Sequence, residues 1–144
     1  MNTYETPKKQ KFNIENVKHI SVSDAYDAVL ANKVYFLDIR EEDETNIEFF
    51  DFRNLFMFPM SEIMDKLEHL PRNISIVVAC SSGTRGTKVA NMLIRQGYND
   101  VANLDGGIIE WKANNFPTIE TGIKPEDTSC CDISDCEGNC SGCC

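Results

Sequence analysis

The chain has 144 residues, 42% of them hydrophobic and 26% charged, with a formal net charge of −9. That length fits one globular domain with short appendages. The acidic balance repels phosphate backbones and anionic lipid, which argues against nucleic acid and membrane partners, and it disfavours strongly anionic small substrates unless a local site overrides the field.

Residues 1–11 are polar and lysine-rich, and a loosely ordered, flexible N-terminus is expected. The opening MNTYETPKKQKFNIEN has no apolar stretch of a secretory signal and no lipidation motif, and no apolar run in the chain is long enough to span a bilayer. A cytoplasmic location is the expectation.

From 12 to 120 short apolar runs alternate with longer amphipathic segments, and this stretch is expected to form one domain. VKHI (17–20) is a possible short first strand. SVSDAYDAVLAN (21–32) predicts a helix with Ser or Asp caps at its start and Val22, Ala25, Val29 and Leu30 on one face. VYFLDI (34–39) and ISIVVA (74–79) are nearly continuous apolar runs, as buried parallel strands are. LFMF (55–58) and DVANL (100–104) are weaker strands. MSEIMDKLEHL (60–70) predicts a helix that stops at Pro71. RGTKVANMLIRQ (85–96) predicts another, with Val89, Met92 and Leu93 in one stripe and Gly97 as its left-handed stop. GIIEWKAN (107–114) is a short last helix closed by Asn115. Strand then helix, repeated, implies an α/β fold: a mainly parallel sheet covered by helices on both faces.

Residues 121–144 differ. TGIKPEDTSCCDISDCEGNCSGCC lacks core-forming residues and holds six of the seven cysteines, Cys130, Cys131, Cys136, Cys140, Cys143 and Cys144. This tail is expected to be disordered, or to be ordered by a metal or a cross-link. Clustered thiolates suit zinc, copper(I) or an iron–sulfur centre, and they could equally accept or exchange sulfur. A secreted disulfide framework would spread its cysteines through the fold, and here the domain holds only Cys80.

The informative stretch is ISIVVAC-SSGTR-GTKVANMLIRQGY. A buried strand ends in Cys80, a small-residue loop follows, and then a helix begins. Ser81, Ser82 and Gly83 are small enough for the backbone to curl and aim N–H groups inward. The helix turns its positive end toward the loop, and Arg85 adds a cation. Such surroundings favour an anionic sulfur at Cys80. A buried core cysteine at a strand end followed by an ordinary turn is the structural alternative.

Over roughly 14–119 the chain resembles a rhodanese-homology domain. CSSGTRG (80–86) is similar to the family's active loop C-x-x-x-x-R, often CRSGxRS. LDIRE (37–41) resembles its aspartate–aliphatic–arginine signature, and LDGGIIEWKANNFP (104–117) its late motif of paired glycines, tryptophan and proline. The resemblance implies about five parallel strands. It also implies a sulfurtransferase in which Cys80 takes a sulfane sulfur as a persulfide and the backbone of Ser81, Ser82, Gly83, Thr84 and Arg85 stabilises the outer sulfur. The donor would be a persulfide, a polysulfide or thiosulfate, and the acceptor a small thiol or a protein, with no cofactor required for the transfer. By the same resemblance Asp38 would support the loop from its neighbouring strand and Arg40 would tie down a nearby acid. Both could equally be fold residues. Gly106 and Gly107 are expected to permit a tight turn, and Trp111 to pack in the core.

The loop is one residue shorter than the C-x5-R loop of phosphatases of related architecture, which makes that activity a distant alternative. Two other readings stand beside sulfur transfer: a non-catalytic rhodanese-like binding or regulatory module, and a metal or metalloid handling protein acting through its tail. The family's Gly-His-Ile-x-Gly-Ala stretch is missing, and NIEFFDFRNLFMFPM (46–60) stands there, with phenylalanines expected mostly in the core. His19 and His69 are expected at the surface or at helix ends. Serine at 81, where a basic residue is common in the family, leaves Arg85 as the loop's one cation. Thiosulfate is therefore expected to be a poor donor.

Overall fold

The structure, a computed structural model, describes residues 2–120. Five strands form one parallel sheet: β1 (Lys18–Ile20), β2 (Tyr35–Asp38), β4 (Leu55–Met57), β5 (Ile76–Ala79) and β6 (Val101–Leu104). Their spatial order is β1-β6-β5-β2-β4, and every pairing is parallel. The expected doubly covered α/β sheet is the observed one.

Alternation along the strands divides the core into two faces. Phe36, Val77, Ala79, Ala102 and Leu104 point to one side, where α1 (Val22–Leu30) and α5 (Gly107–Ala113) cover them. Leu37, Ile39, Ile76, Val78 and Val101 point to the other, against α3 (Ile63–Lys66) and α4 (Thr84–Arg95). β5 is buried at every position, as its unbroken apolar sequence requires, and β6 is buried throughout as well, its polar Asn103 included. Helix α1 starts where Ser21 Oγ accepts Asp24 N at 3.1 Å. The predicted stops are left-handed residues: Gly97 follows α4 and Asn115 follows α5.

Trp111 is fully buried and meets Tyr26, Phe36, Phe50, Phe52 and Phe116 at centroid distances of 5.2–5.8 Å. Phe50 lies in the core and Phe52 packs on it, while Phe56 and Phe58 pack on the other face. The aromatic run at 46–60 thus fills both sides of the sheet.

Four local expectations are corrected. The helix over 60–70 is shorter: α3 spans four residues and is followed by a 3-10 turn at Leu67–His69. Its predicted first turn is tied elsewhere, Met60 N to Ile39 O and Ser61 to the Glu41 carboxylate. Leu70 turns extended ahead of Pro71. A second correction is an added layer. The polar run after β2 forms α2 (Glu42–Thr45), and β3 (Glu48–Phe50) pairs antiparallel with β7 (Thr118–Glu120).

The third concerns residues 2–11, which are hydrogen-bonded to the domain. Tyr4 and His19 exchange two backbone hydrogen bonds of 2.8 Å, which covers the edge of β1. The Asp105 carboxylate accepts Tyr4 Oη at 2.6 Å, Lys8 N at 2.7 Å and Lys9 N at 3.1 Å. Burial and the Asp105 carboxylate together hold the Tyr4 phenol above its ordinary range. The fourth is His19, which is fully buried beneath that segment rather than at the surface. Its ring sits between Asn13 Oδ1 at 2.8 Å and Asn103 Nδ2 at 3.1 Å, and burial lowers its pKa. His69 is exposed, at the end of the 3-10 turn.

Candidate active site

Parallel strands bring their C-terminal ends to one edge of the sheet, the usual ligand-binding edge of such folds. Cys80 is the residue after β5, and Asp38 and Asp105 stand at the ends of the flanking strands β2 and β6. Cys80 is 1% exposed. Its Sγ accepts Gly83 N at 3.0 Å and Gly86 N at 3.2 Å. Gly83 turns the loop back with φ 104° and caps α4. Gly86 lies in the first turn of α4, where N–H groups have no partner within the helix. That turn contains no acidic residue of its own, and its positive end lies near the sulfur. The arrangement is fitted to a sulfur anion.

The loop is braced from behind by α5. Ile108 N donates to Cys80 O at 2.8 Å, and Ile109 N donates to Ser81 O at 3.1 Å. Gly107, at φ 64°, makes this approach possible: an added Cβ would lie 2.5 Å from Cys80 O and 2.4 Å from Ser81 O. Gly107 therefore does more than permit the expected turn, because it sets the distance between α5 and the loop.

Glu44 of α2 reaches across to the loop. Its oxygens accept Arg85 Nη1 and Nη2 at 2.8 Å each and Ser81 Oγ at 3.0 Å, and Arg85 Nη2 also reaches Ser81 Oγ at 3.0 Å. The expected lone cation is thus paired with an acid. Ser82 is exposed, and Thr84 is half-buried at the start of α4.

The Arg85 hydrogen bonds hold the Glu44 carboxyl at about 2, against an ordinary 4.5. A folded-state value below the unfolded one means that the stabilisation is complete above the unfolded value and lost as pH falls through the folded value. Glu44→Gln should therefore lower the melting temperature at neutral pH. The gap to the unsubstituted chain should narrow between about pH 4.5 and about pH 2. Thermal melts across that range, read at constant ionic strength, check this. An equal gap throughout would mean that Glu44 does not titrate as described.

Asp38 and Arg40 pair with each other. Arg40 Nε donates to Asp38 Oδ1 at 3.0 Å, and Nη2 donates to Oδ2 at 2.9 Å and to Glu48 O at 3.0 Å. The acid that Arg40 ties down is therefore Asp38 itself. Asp38 gives its carboxylate to Arg40, and in β2 it lies in register with Ala79, the residue before Cys80.

The six tail cysteines lie outside the described residues. Among the described residues no group of three or more His, Cys, Asp or Glu side chains could hold a metal ion, and no helix is long and apolar enough to cross a membrane. Sequence reasoning missed Glu44, whose signal was an acidic run directly after LDIR, and it missed Gln10 and Asp105.

A thiosulfate sulfurtransferase GlpE from Coxiella burnetii is 28% identical over 103 residues, which is 72% of this chain and 94% of that protein. A tRNA uridine(34) hydroxylase from Chlamydia felis is 26% identical over 144 residues, 85% of this chain and 44% of that protein. The chain spans between 31% and 57% of the length of several curated relatives, that hydroxylase among them. The crystal structure of a rhodanese-related protein from Thermoplasma volcanium superposes with a TM-score of 0.60 at 27% identity, covering 70% of this chain and 96% of that one. The model of the rhodanese-like domain matches residues 21–114, a stretch that contains the cysteine loop, the Asp38–Arg40 pair and the glycine-led α5, and the chain belongs to that family.

Proposed function

We propose that the chain is a sulfurtransferase that carries a sulfane sulfur on Cys80 as a persulfide and passes it to a thiol or other nucleophilic acceptor. The observation that carries this reading is the Cys80 Sγ held by Gly83 N and Gly86 N at the positive end of α4. In loading, the Cys80 thiolate attacks the outer sulfur of a donor R–S–SH. A new S–S bond forms, the donor's S–S bond breaks, and R–S⁻ leaves with the electron pair. In unloading, the acceptor thiolate attacks the terminal sulfur of the persulfide and Cys80 leaves as thiolate. Each step conserves oxidation state overall, so no metal or redox cofactor is required.

The donor we favour is a persulfide or polysulfide. Thiosulfate is a dianion, and Arg85 faces it already neutralised by Glu44 in a chain of net charge −9. That charge also opposes tRNA as a partner, and the hydroxylases' activity is not carried over.

The test is mass mapping of the full chain after exposure to a polysulfide, and separately to thiosulfate. The expected result is one sulfur atom on the peptide that contains Cys80, removed by cyanide and absent in Cys80→Ser. It should load fast from polysulfide and slowly from thiosulfate. No sulfur on that peptide in a folded chain would overturn the carrier reading. Equal loading from both donors would overturn the donor preference alone.

A further inference from the structure

The side chain of Gln10 lies between the cysteine loop and the turn that carries α5. Its Oε1 accepts Asn103 Nδ2 at 3.0 Å and Gly106 N at 3.1 Å. Its Nε2 donates to Phe12 O at 2.9 Å, Thr87 Oγ1 at 3.0 Å and Gly83 O at 3.3 Å. Both ends of the amide are thus committed, donors on the loop side and acceptor on the β6 side. Gln10 Oε1 also fills the space beside Gly83, only 1.7 Å from where an added Cβ would stand.

Gly83 is one of the two residues whose N–H meets the sulfur. Its carbonyl is held by Thr87 N at 3.0 Å, Thr87 Oγ1 at 2.7 Å and the Gln10 amide. The Thr87 bonds come from α4 and move with it. Gln10 alone among these partners ties Gly83 to the opposite wall, where Asn103 and Gly106 stand. The segment that delivers it is clamped by Asp105, one residue before Gly106. Asn103 is in turn bonded to His19 in β1. A glycine at φ 104° has little intrinsic preference for one orientation, so what packs on it decides where its N–H points.

We propose that Gln10 is a positioning residue for the chemistry of Cys80: it locks the Gly83 turn so that the Gly83 N–H is aimed at the sulfur before a donor arrives. It touches no reacting atom. It makes the N-terminal segment part of the working site. This inference rests on Cys80 being the reactive centre, but its test does not need sulfur transfer to succeed.

The experiment compares the full chain with Gln10→Ala and Gln10→Glu. Gln10→Glu keeps the size but sets a carboxylate against Gly83 O and Thr87 Oγ1. Two rates are read at 25 °C: alkylation of Cys80 by iodoacetamide across pH, and loading of Cys80 from a polysulfide. Val29→Ala, a core change on the other side of the sheet, serves as a stability control. Both Gln10 variants should slow alkylation at neutral pH about tenfold and displace its pH profile upward, since a misaimed N–H stabilises the thiolate less. Val29→Ala should melt earlier with an unchanged profile. If Gln10→Ala and Gln10→Glu alkylate within about twofold of the unsubstituted chain with the same profile, Gln10 merely anchors the N-terminus and the proposal fails. Failure of the unsubstituted chain to load sulfur would strike the carrier reading instead, and the alkylation comparison would still decide the role of Gln10.

Discussion

Arg40→Ala is expected to destabilise the fold by about 3–5 kcal/mol, because it strands a buried carboxylate. Asp38 is fully buried and Arg40 is 3% exposed. The guanidinium supplies two of the three hydrogen bonds that reach the Asp38 carboxylate, and Arg40 N supplies the third at 3.1 Å. Arg40 also gives a hydrogen bond to Glu48 O and lies over the Phe50 ring at 5.9 Å. Its loss therefore loosens β3 as well as β2. Asp38→Ala should cost a similar amount for the mirrored reason, a guanidinium left in the core with only a carbonyl and a ring. The double variant should cost clearly less than the two single losses added, since neither charge is then stranded. Urea unfolding of the four proteins closes this cycle. Strict additivity would mean that the pair is not coupled as its geometry implies.

That pair shows how far the sequence could be read. LDIRE marked Asp38 and Arg40 together, but their spacing did not say that each is the other's partner. The side chains of residues two apart on a strand share a face, and only the buried setting at the strand end makes the bidentate contact worthwhile. The five strands, α1, α4 and α5 were legible because unbroken apolar runs, a helical stripe, Ser21 and the left-handed Gly97 and Asn115 each have a local cause. Cys80 and its loop were legible because strand, small residues and helix follow one another in the chain. Glu44 was not. It lies 36 residues before Cys80, and α2 buries no residue that would betray a helix. His19 and Gln10 were missed for a related reason. Their partners Asn103, Gly83 and Gly106 lie between 73 and 96 residues further along the chain, and isolated polar residues carry no periodic signal. Long-range polar contacts of this kind are set by tertiary placement, and pattern reading does not reach them.

Gly107→Ala should be among the most damaging single-methyl changes in the domain. The new Cβ would stand 2.4 Å from Ser81 O, 2.5 Å from Cys80 O and 2.6 Å from Ser81 C, all of them backbone atoms that cannot swing aside. Alanine at φ 64° adds its own left-handed strain of about 1–2 kcal/mol. Overpacking a tight contact costs about 1–3 kcal/mol more, for an expected loss of roughly 2–5 kcal/mol. Relief requires α5 to back away from the loop, and that breaks the hydrogen bonds from Ile108 N and Ile109 N that hold the Cys80 and Ser81 carbonyls. Stability and reactivity should therefore fall together: an earlier urea midpoint and slower alkylation of Cys80 in whatever fraction remains folded. Gly106→Ala is the informative contrast. It carries the same kind of strain, at φ 84°, and its Cβ would stand 2.6 Å from Glu110 Cβ, an atom fixed to α5, but none of its three nearest contacts belongs to the cysteine loop. It should cost about 2–5 kcal/mol as well, from strain and crowding together, and slow alkylation of Cys80 less than Gly107→Ala does. Equal slowing of alkylation by the two substitutions would mean that the close approach of α5 to Cys80 does not govern the site.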